Sequence, residues 1–138
     1  MTTAEIARRF NLIYIGDSLL ELLELRTGEA ECHLRFNMAK VLEAEGANIF
    51  EPRAKYEPAW LRFLGVRSIS FDRSYQLNST VVDFGAIDHG DGAHLEFYFD
   101  LTGGVDPDAF LVKVRILAKD FDLGPDMAAD RIAGDDGV

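Results

Sequence analysis

The chain has 138 residues, 48% of them hydrophobic and 28% charged, which excludes a disordered chain and a collagen-like repeat. Its one cysteine, Cys32, excludes a disulfide scaffold. Fourteen basic against 24 acidic residues give a formal charge of −10, which makes free nucleic acid a poor partner because phosphate rewards clustered Lys and Arg.

Taken from the N-terminus, MTTAEIARRFNLIYIGDSLL has two arginines, Arg8 and Arg9, before the apolar run Leu12 to Ile15. Asp17 cuts that run too short for a secretion-signal core. No stretch approaches the roughly 20 apolar residues of a membrane span. These features place the expected protein in the cytoplasm, away from membranes, and a lone thiol agrees. Thr3 to Phe10 holds good helix formers and a threonine able to cap, so a short N-terminal helix is predicted there.

Asp17 to Leu25 fits two patterns. Ser18 and Glu21 match a capping box, whereas Leu19, Leu23 and Leu25 alternate with Glu24 as in a strand. The turn at Thr27-Gly28 leads straight into an alternating strand, Glu31 to Met38, which favours the strand. There Cys32, Leu34 and Phe36 oppose His33, Arg35 and Asn37, so Cys32 and His33 point to opposite faces and do not form a dyad. Cys32 reads as a buried, inert thiol.

The stretch ANIFEPRAKYEPAWLRFLGV is locally basic and aromatic, with Phe50, Pro52, Arg53, Lys55, Tyr56, Pro58, Trp60, Arg62 and Phe63. Trp, Tyr and Arg are the residues enriched at binding hot spots, which makes Tyr56, Trp60 and Arg62 candidate binding residues. The structural alternative is a long crossover loop pinning its aromatics over the core. Val66 to Phe71 and Val81 to Phe84 read as shorter strands. Ala93 to Leu101 and Phe110 to Ala118 are the clearest strands, with Leu95, Phe97, Phe99, Val112 and Val114 facing inward. Asp88-His89-Gly90-Asp91-Gly92 reads as a hairpin loop before the first of these, and Gly103 to Asp108 separates the two.

These spacings predict a mainly β protein: an antiparallel sandwich, or a strongly curved sheet or open barrel, of about six strands with a short N-terminal helix. Residues 1–125 form one β-rich domain, and 126–138, DMAADRIAGDDGV, a flexible acidic tail.

The charge divides unevenly. Residues 1–69 carry 10 acidic and 9 basic side chains, residues 70–138 carry 14 and 5. A half at −9 would steer a basic partner, which adds Asp88, Asp91 and Asp100 to the candidate binding residues. Asp106, Asp108, Asp120 and Asp122 are candidate calcium ligands if two loops meet. His89 and His94 flank the hairpin loop in a spacing that matches no zinc signature. G-x-S-x-G and phosphate-binding loops are missing from the sequence, and we assign no catalytic residue and no cofactor.

Ile15-Gly16-Asp17-Ser18, then Phe63-Leu64-Gly65-Val66, then the closing strand VKVRILAKDFDL form a pattern over residues 12–123. It resembles small bacterial β-rich proteins of unknown function, some of whose relatives are regarded as immunity proteins of polymorphic toxin systems. Such proteins often carry His before Asp-Ser, where Gly16 stands here. The resemblance implies an antiparallel β fold and a binding role, and no catalytic residues. The function expected is therefore a non-enzymatic protein-binding module, an immunity-type inhibitor of a basic toxin. The alternatives are a small-ligand-binding β-barrel or enzyme with an internal cavity, and self-association through a strand edge.

Overall fold

A computed structural model describes residues 1–42, 56–76, 79–105 and 107–124. The expected tail 126–138 lies outside them, as do Phe50, Pro52, Arg53, Lys55 and Asp106.

The chain opens with helix α1 (Thr3–Phe10). The Thr2 hydroxyl accepts from the Glu5 N–H at 3.1 Å and satisfies one of the orphan donors of the first turn. Glu5 near the start and Arg8 and Arg9 near the end suit the helix dipole. Ile6 and Phe10, four apart, share the buried face.

Among the described residues nine strands follow: β1 (Ile13–Tyr14), β2 (Leu20–Arg26), β3 (Glu31–Val41), β4 (Glu57–Leu64), β5 (Ser68–Phe71), β6 (Val81–Asp88), β7 (Leu95–Gly103), β8 (Phe110–Ala118) and β9 (Asp120–Gly124). All pairings are antiparallel. One sheet runs β1-β3-β4-β9, with β2 also paired to β3; the other runs β5-β8-β7-β6. The mainly β class with a short N-terminal helix is as predicted, and among the described residues the strands number nine rather than about six.

The extra strands are β1, β4 and β9. The stretch read as a loop around Trp60 is β4, a central strand. Its Ala59, Leu61 and Phe63 alternate inward, but Trp60 on the other face hides the period by being apolar as well. Pro58 is tolerated because it stands near the strand start. β9 was hidden by its aspartates, which face away from the core beside Phe121.

The ambiguous leucine run is strand β2. Ser18 caps no helix: it is buried, its hydroxyl donates to Asn37 Oδ1 at 3.1 Å and accepts from the Met38 N–H at 3.2 Å. That ties the turn before β2 onto β3.

Among the described residues the sheets join at two places. At the first, β4 passes into β5 and β8 into β9. Lys119 N–H donates to Leu64 O (3.0 Å), Arg67 N–H to Leu117 O (2.7 Å) and Val66 N–H to Ala30 O (2.8 Å). Gly65 makes this corner with φ +61°, a conformation that a side chain disfavours. At the second, Leu19 bridges to Thr80, and Asp17 and Ser18 exchange bonds of 2.9 Å with Val81. The Ile15-Gly16-Asp17-Ser18 and Phe63-Leu64-Gly65-Val66 motifs thus lie at the two joints.

Between the sheets sit Phe10, Phe36, Phe63, Phe97, Phe99 and Phe121, all fully or almost fully buried. Phe10 meets Phe97 at 5.0 Å and Phe121 at 5.2 Å between ring centroids, both edge-on, and Phe63 meets Phe97 at 4.9 Å. Edge-to-face packing of this kind adds about 0.5–1.5 kcal/mol per pair beyond area burial. Arg9 fastens the helix over this core, its guanidinium donating to Asp120 Oδ1 (2.7 Å) and Phe121 O (2.6 Å).

Candidate interaction faces

Strand period two gives each sheet an outward row, and the two rows differ in charge pairing. On the β2–β3–β4–β9 face, Glu24 stands opposite His33, which stands opposite Arg62, which stands opposite Asp122. Arg62 donates to Asp122 Oδ2 at 2.6 Å, Arg35 to Glu21, and Arg26 reaches Glu24 at 3.3 Å. His33 is only 1% exposed although it points away from the core. Its Nε2 lies 2.8 Å from Glu31 Oε1, and because a carboxylate only accepts, that nitrogen carries the proton. Its Nδ1 lies 3.6 Å from Glu24 Oε2, too long for a hydrogen bond.

Trp60, 6% exposed, stands edge-on to His33 at 6.2 Å. Its Nε1 has no hydrogen-bond partner among the described residues. Of the three aromatic-stretch candidates, then, Trp60 is buried, Arg62 is tied to Asp122, and only Tyr56 is exposed. Tyr56 leans on the Lys40 ammonium, 4.5 Å from its ring centroid. Trp60 and Arg62 belong to β4 and Tyr56 stands just before it, so the described part of this stretch is a strand and not a loop.

The β6–β7 hairpin carries the other face. Asp83 lies opposite Asp100, Gly85 opposite Tyr98 and Ile87 opposite Glu96. A Cβ at Gly85 would fall 2.8 Å from the Tyr98 ring, so the glycine lets that ring lie across β6. On the other side, the Arg115 guanidinium sits 5.2 Å from the ring centroid and donates to Asp100 Oδ1 at 3.1 Å. Burial, then the negative charges of Asp83 and Asp100, push the Tyr98 phenol above its ordinary pKa, against the pull of Arg115. The phenol therefore stays protonated and offers a donor next to two carboxylates.

In the hairpin loop, Asp88 accepts from the Gly90 N–H (2.9 Å) and from the Thr3 hydroxyl of α1 (2.9 Å). Asp91 accepts from the Ala93 (2.8 Å) and His94 (3.0 Å) N–H groups, and these bonds lower its pKa. Both are exposed and shape the loop, while Asp100 is half-buried against Arg115. The structure brings Asp88 and Asp91 into one loop and leaves Asp100 several residues up β7. Asp83, Glu96 and Tyr98 complete this face. The outward alternation His94, Glu96, Tyr98, Asp100 marked part of it, whereas Asp83 needed the β6–β7 register.

Of the four candidate calcium ligands Asp106 lies outside the described residues, and Asp108 does not meet Asp120 and Asp122. Nine-residue β8 separates Asp108 from Asp120 by about 30 Å. Asp120 binds Arg9, and Asp122 binds Arg62. Among the described residues no three His, Cys, Asp or Glu side chains converge to hold a metal. His89 sits 3.5 Å from Glu96, beside the loop. Cys32 is fully buried, and burial pushes its thiol pKa up to about 12, far from a reactive thiolate. Among the described residues no helix is long and apolar enough to cross a membrane. No protein-family model, curated protein or solved structure matches the chain.

Proposed function

We propose that the protein is a non-enzymatic binding module that holds a basic protein partner on the outer face of its β6–β7 hairpin, as an immunity-type inhibitor would. One observation carries the reading. Asp83, Glu96 and Asp100 share the outward row of one hairpin with Tyr98, Asp88 and Asp91 shape its loop, and among the described residues only Asp100 of these five pairs with an arginine or lysine. Carboxylates left without cations are free to pair with a partner's, and a positioned tyrosine is a favoured hot-spot residue. The aromatic rings packed between the sheets support a binding rather than a cavity-based role, because a ligand cavity would need the space they fill.

The test is capture from a lysate of the source organism at low salt, followed by a salt gradient. The expected result is a stoichiometric basic protein that leaves at moderate salt and is missing when Asp83→Lys/Glu96→Lys is the bait. An empty eluate, or a partner that the reversed bait retains, would overturn the reading.

A further inference from the structure

Strand β2 is an outer strand, and among the described residues no strand pairs with its free edge. Leu22 and Leu25 on it are 47% and 49% exposed, and Phe71 of β5 is 38% exposed. They line two hollows between β2 and β5. One, of about 530 Å³, is bordered by Leu22, Leu23 and Phe71; the other, of about 340 Å³, by Leu25, Val66 and Ile69. An edge with apolar side chains is a template for another strand. β2 guards its start with a register break between Leu20 and Leu22, but from Leu22 to Arg26 it pairs regularly with β3.

The second half of the strand, Glu24-Leu25-Arg26, is self-complementary. In a symmetric antiparallel pair about a two-fold axis normal to the sheet, one residue lies opposite itself. With Leu25 there, each Glu24 falls opposite the other copy's Arg26, and both lie on the same face. With Leu23 on the axis Glu24 meets Leu22, and with Glu24 on the axis like charges meet. Leu25 is the one axial residue from Leu22 to Arg26 that sets opposite charges face to face. It also brings two half-exposed leucines together beside the smaller hollow.

We propose that two copies of this chain associate by pairing β2 with β2, antiparallel, with Leu25 on the axis. Each Arg26, which contacts Glu24 of its own strand at 3.3 Å, then gains the partner's Glu24 across the junction. The surface is separate from the β6–β7 face, so the two proposals stand or fall independently.

Sedimentation velocity over a concentration series tests it, with circular dichroism confirming that each variant is folded. The wild-type mass should rise from 15.4 kDa toward twice that value with concentration. Glu24→Arg and Arg26→Glu should each weaken association at least tenfold. An equimolar mixture of the two, and the double variant, should dimerise again, since each restores opposite charges across the junction. Leu25→Lys, at an exposed site, should also remain monomeric. The proposal is overturned by a wild type that stays at 15.4 kDa at every concentration, by folded single variants that associate like wild type, or by a mixture of folded single variants that stays monomeric.

Discussion

The outward faces of the two sheets are built from similar residues and spend them differently. On the β2–β3–β4–β9 face each carboxylate has a cation or imidazole in reach: Glu21 has Arg35, Glu24 has Arg26, Glu31 has His33 and Asp122 has Arg62. A tryptophan and a histidine are buried among them. On the β6–β7 hairpin, among the described residues, Asp83, Asp88 and Asp91 have only backbone or hydroxyl donors, and Glu96 has only His89. The aromatic there lies over a glycine instead of under other side chains. The lesson is that composition alone does not mark a binding face. Trp60 and Arg62 look like hot-spot residues and are packed and paired, whereas plain aspartates on a hairpin are the charges left over.

The contrast breaks most visibly in stability. Trp60→Ala should cost about 3–5 kcal/mol, the range for a buried aromatic, read from the urea midpoint. Tyr98→Ala removes one ring from a hairpin surface and should cost about 1 kcal/mol. Equal losses for the two would show that the hairpin face is as structural as the other.

The inner side of β3 offers a chemical version of the contrast. With its pKa near 12, the Cys32 thiol at pH 8 holds about 10⁻⁴ of its population as thiolate, on the order of a thousandfold less than a free cysteine. Iodoacetamide should leave the native protein unmodified under conditions that alkylate it fully in guanidinium. Rapid native alkylation would mean that the sheet opens locally or that the thiol is accessible.

Charge neutralisation separates the faces more finely. Asp83→Asn/Glu96→Gln and Glu21→Gln/Asp122→Asn each remove two negative charges, taking the formal charge from −10 to −8. The hairpin pair should weaken partner binding on the order of tenfold and flatten its salt dependence, because steering depends on unpaired surface charge. The other pair should leave affinity within about twofold. It should cost up to about 1 kcal/mol of stability for each ion pair broken, as exposed pairs do.

The smallest effect belongs to Asp91. Its folded pKa lies below the ordinary 3.8 because the His94 and Ala93 N–H groups bind the ionised form. A group depressed in this way stabilises the fold above its unfolded pKa, and that contribution fades as pH falls through the folded value. Asp91→Ala should therefore be less stable than wild type at neutral pH, with the gap closing in a thermal-melt series taken below pH 3.8. A gap independent of pH would assign the loss to something other than the carboxylate.

Much of the fold was legible. Good helix formers and a threonine able to cap made α1 readable, and strict alternation made β3, β7 and β8 so. β4 was missed because Trp60 makes both of its faces look apolar, and burial of an outward residue depends on neighbours that no single strand encodes. β9 was missed because Asp120 and Asp122 resemble a turn, and only their pairing with Arg9 and Arg62 shows them as parts of an edge strand. The candidate face was legible in part. Asp88, Asp91 and Asp100 were picked by charge, while Asp83 and the seat of Tyr98 on Gly85 follow from cross-strand register. Register is set by turns and bulges elsewhere in the chain, here by the break between Val81 and Asp83.

The most direct test of the account sets the two neutralised variants beside the wild type as baits in one capture experiment, with bound protein measured across a salt gradient. Wild type and Glu21→Gln/Asp122→Asn should retain the same basic partner to the same salt concentration. Asp83→Asn/Glu96→Gln should release it earlier or never hold it. Retention by the hairpin variant with loss by the other would move the binding face to the opposite sheet and contradict the central claim.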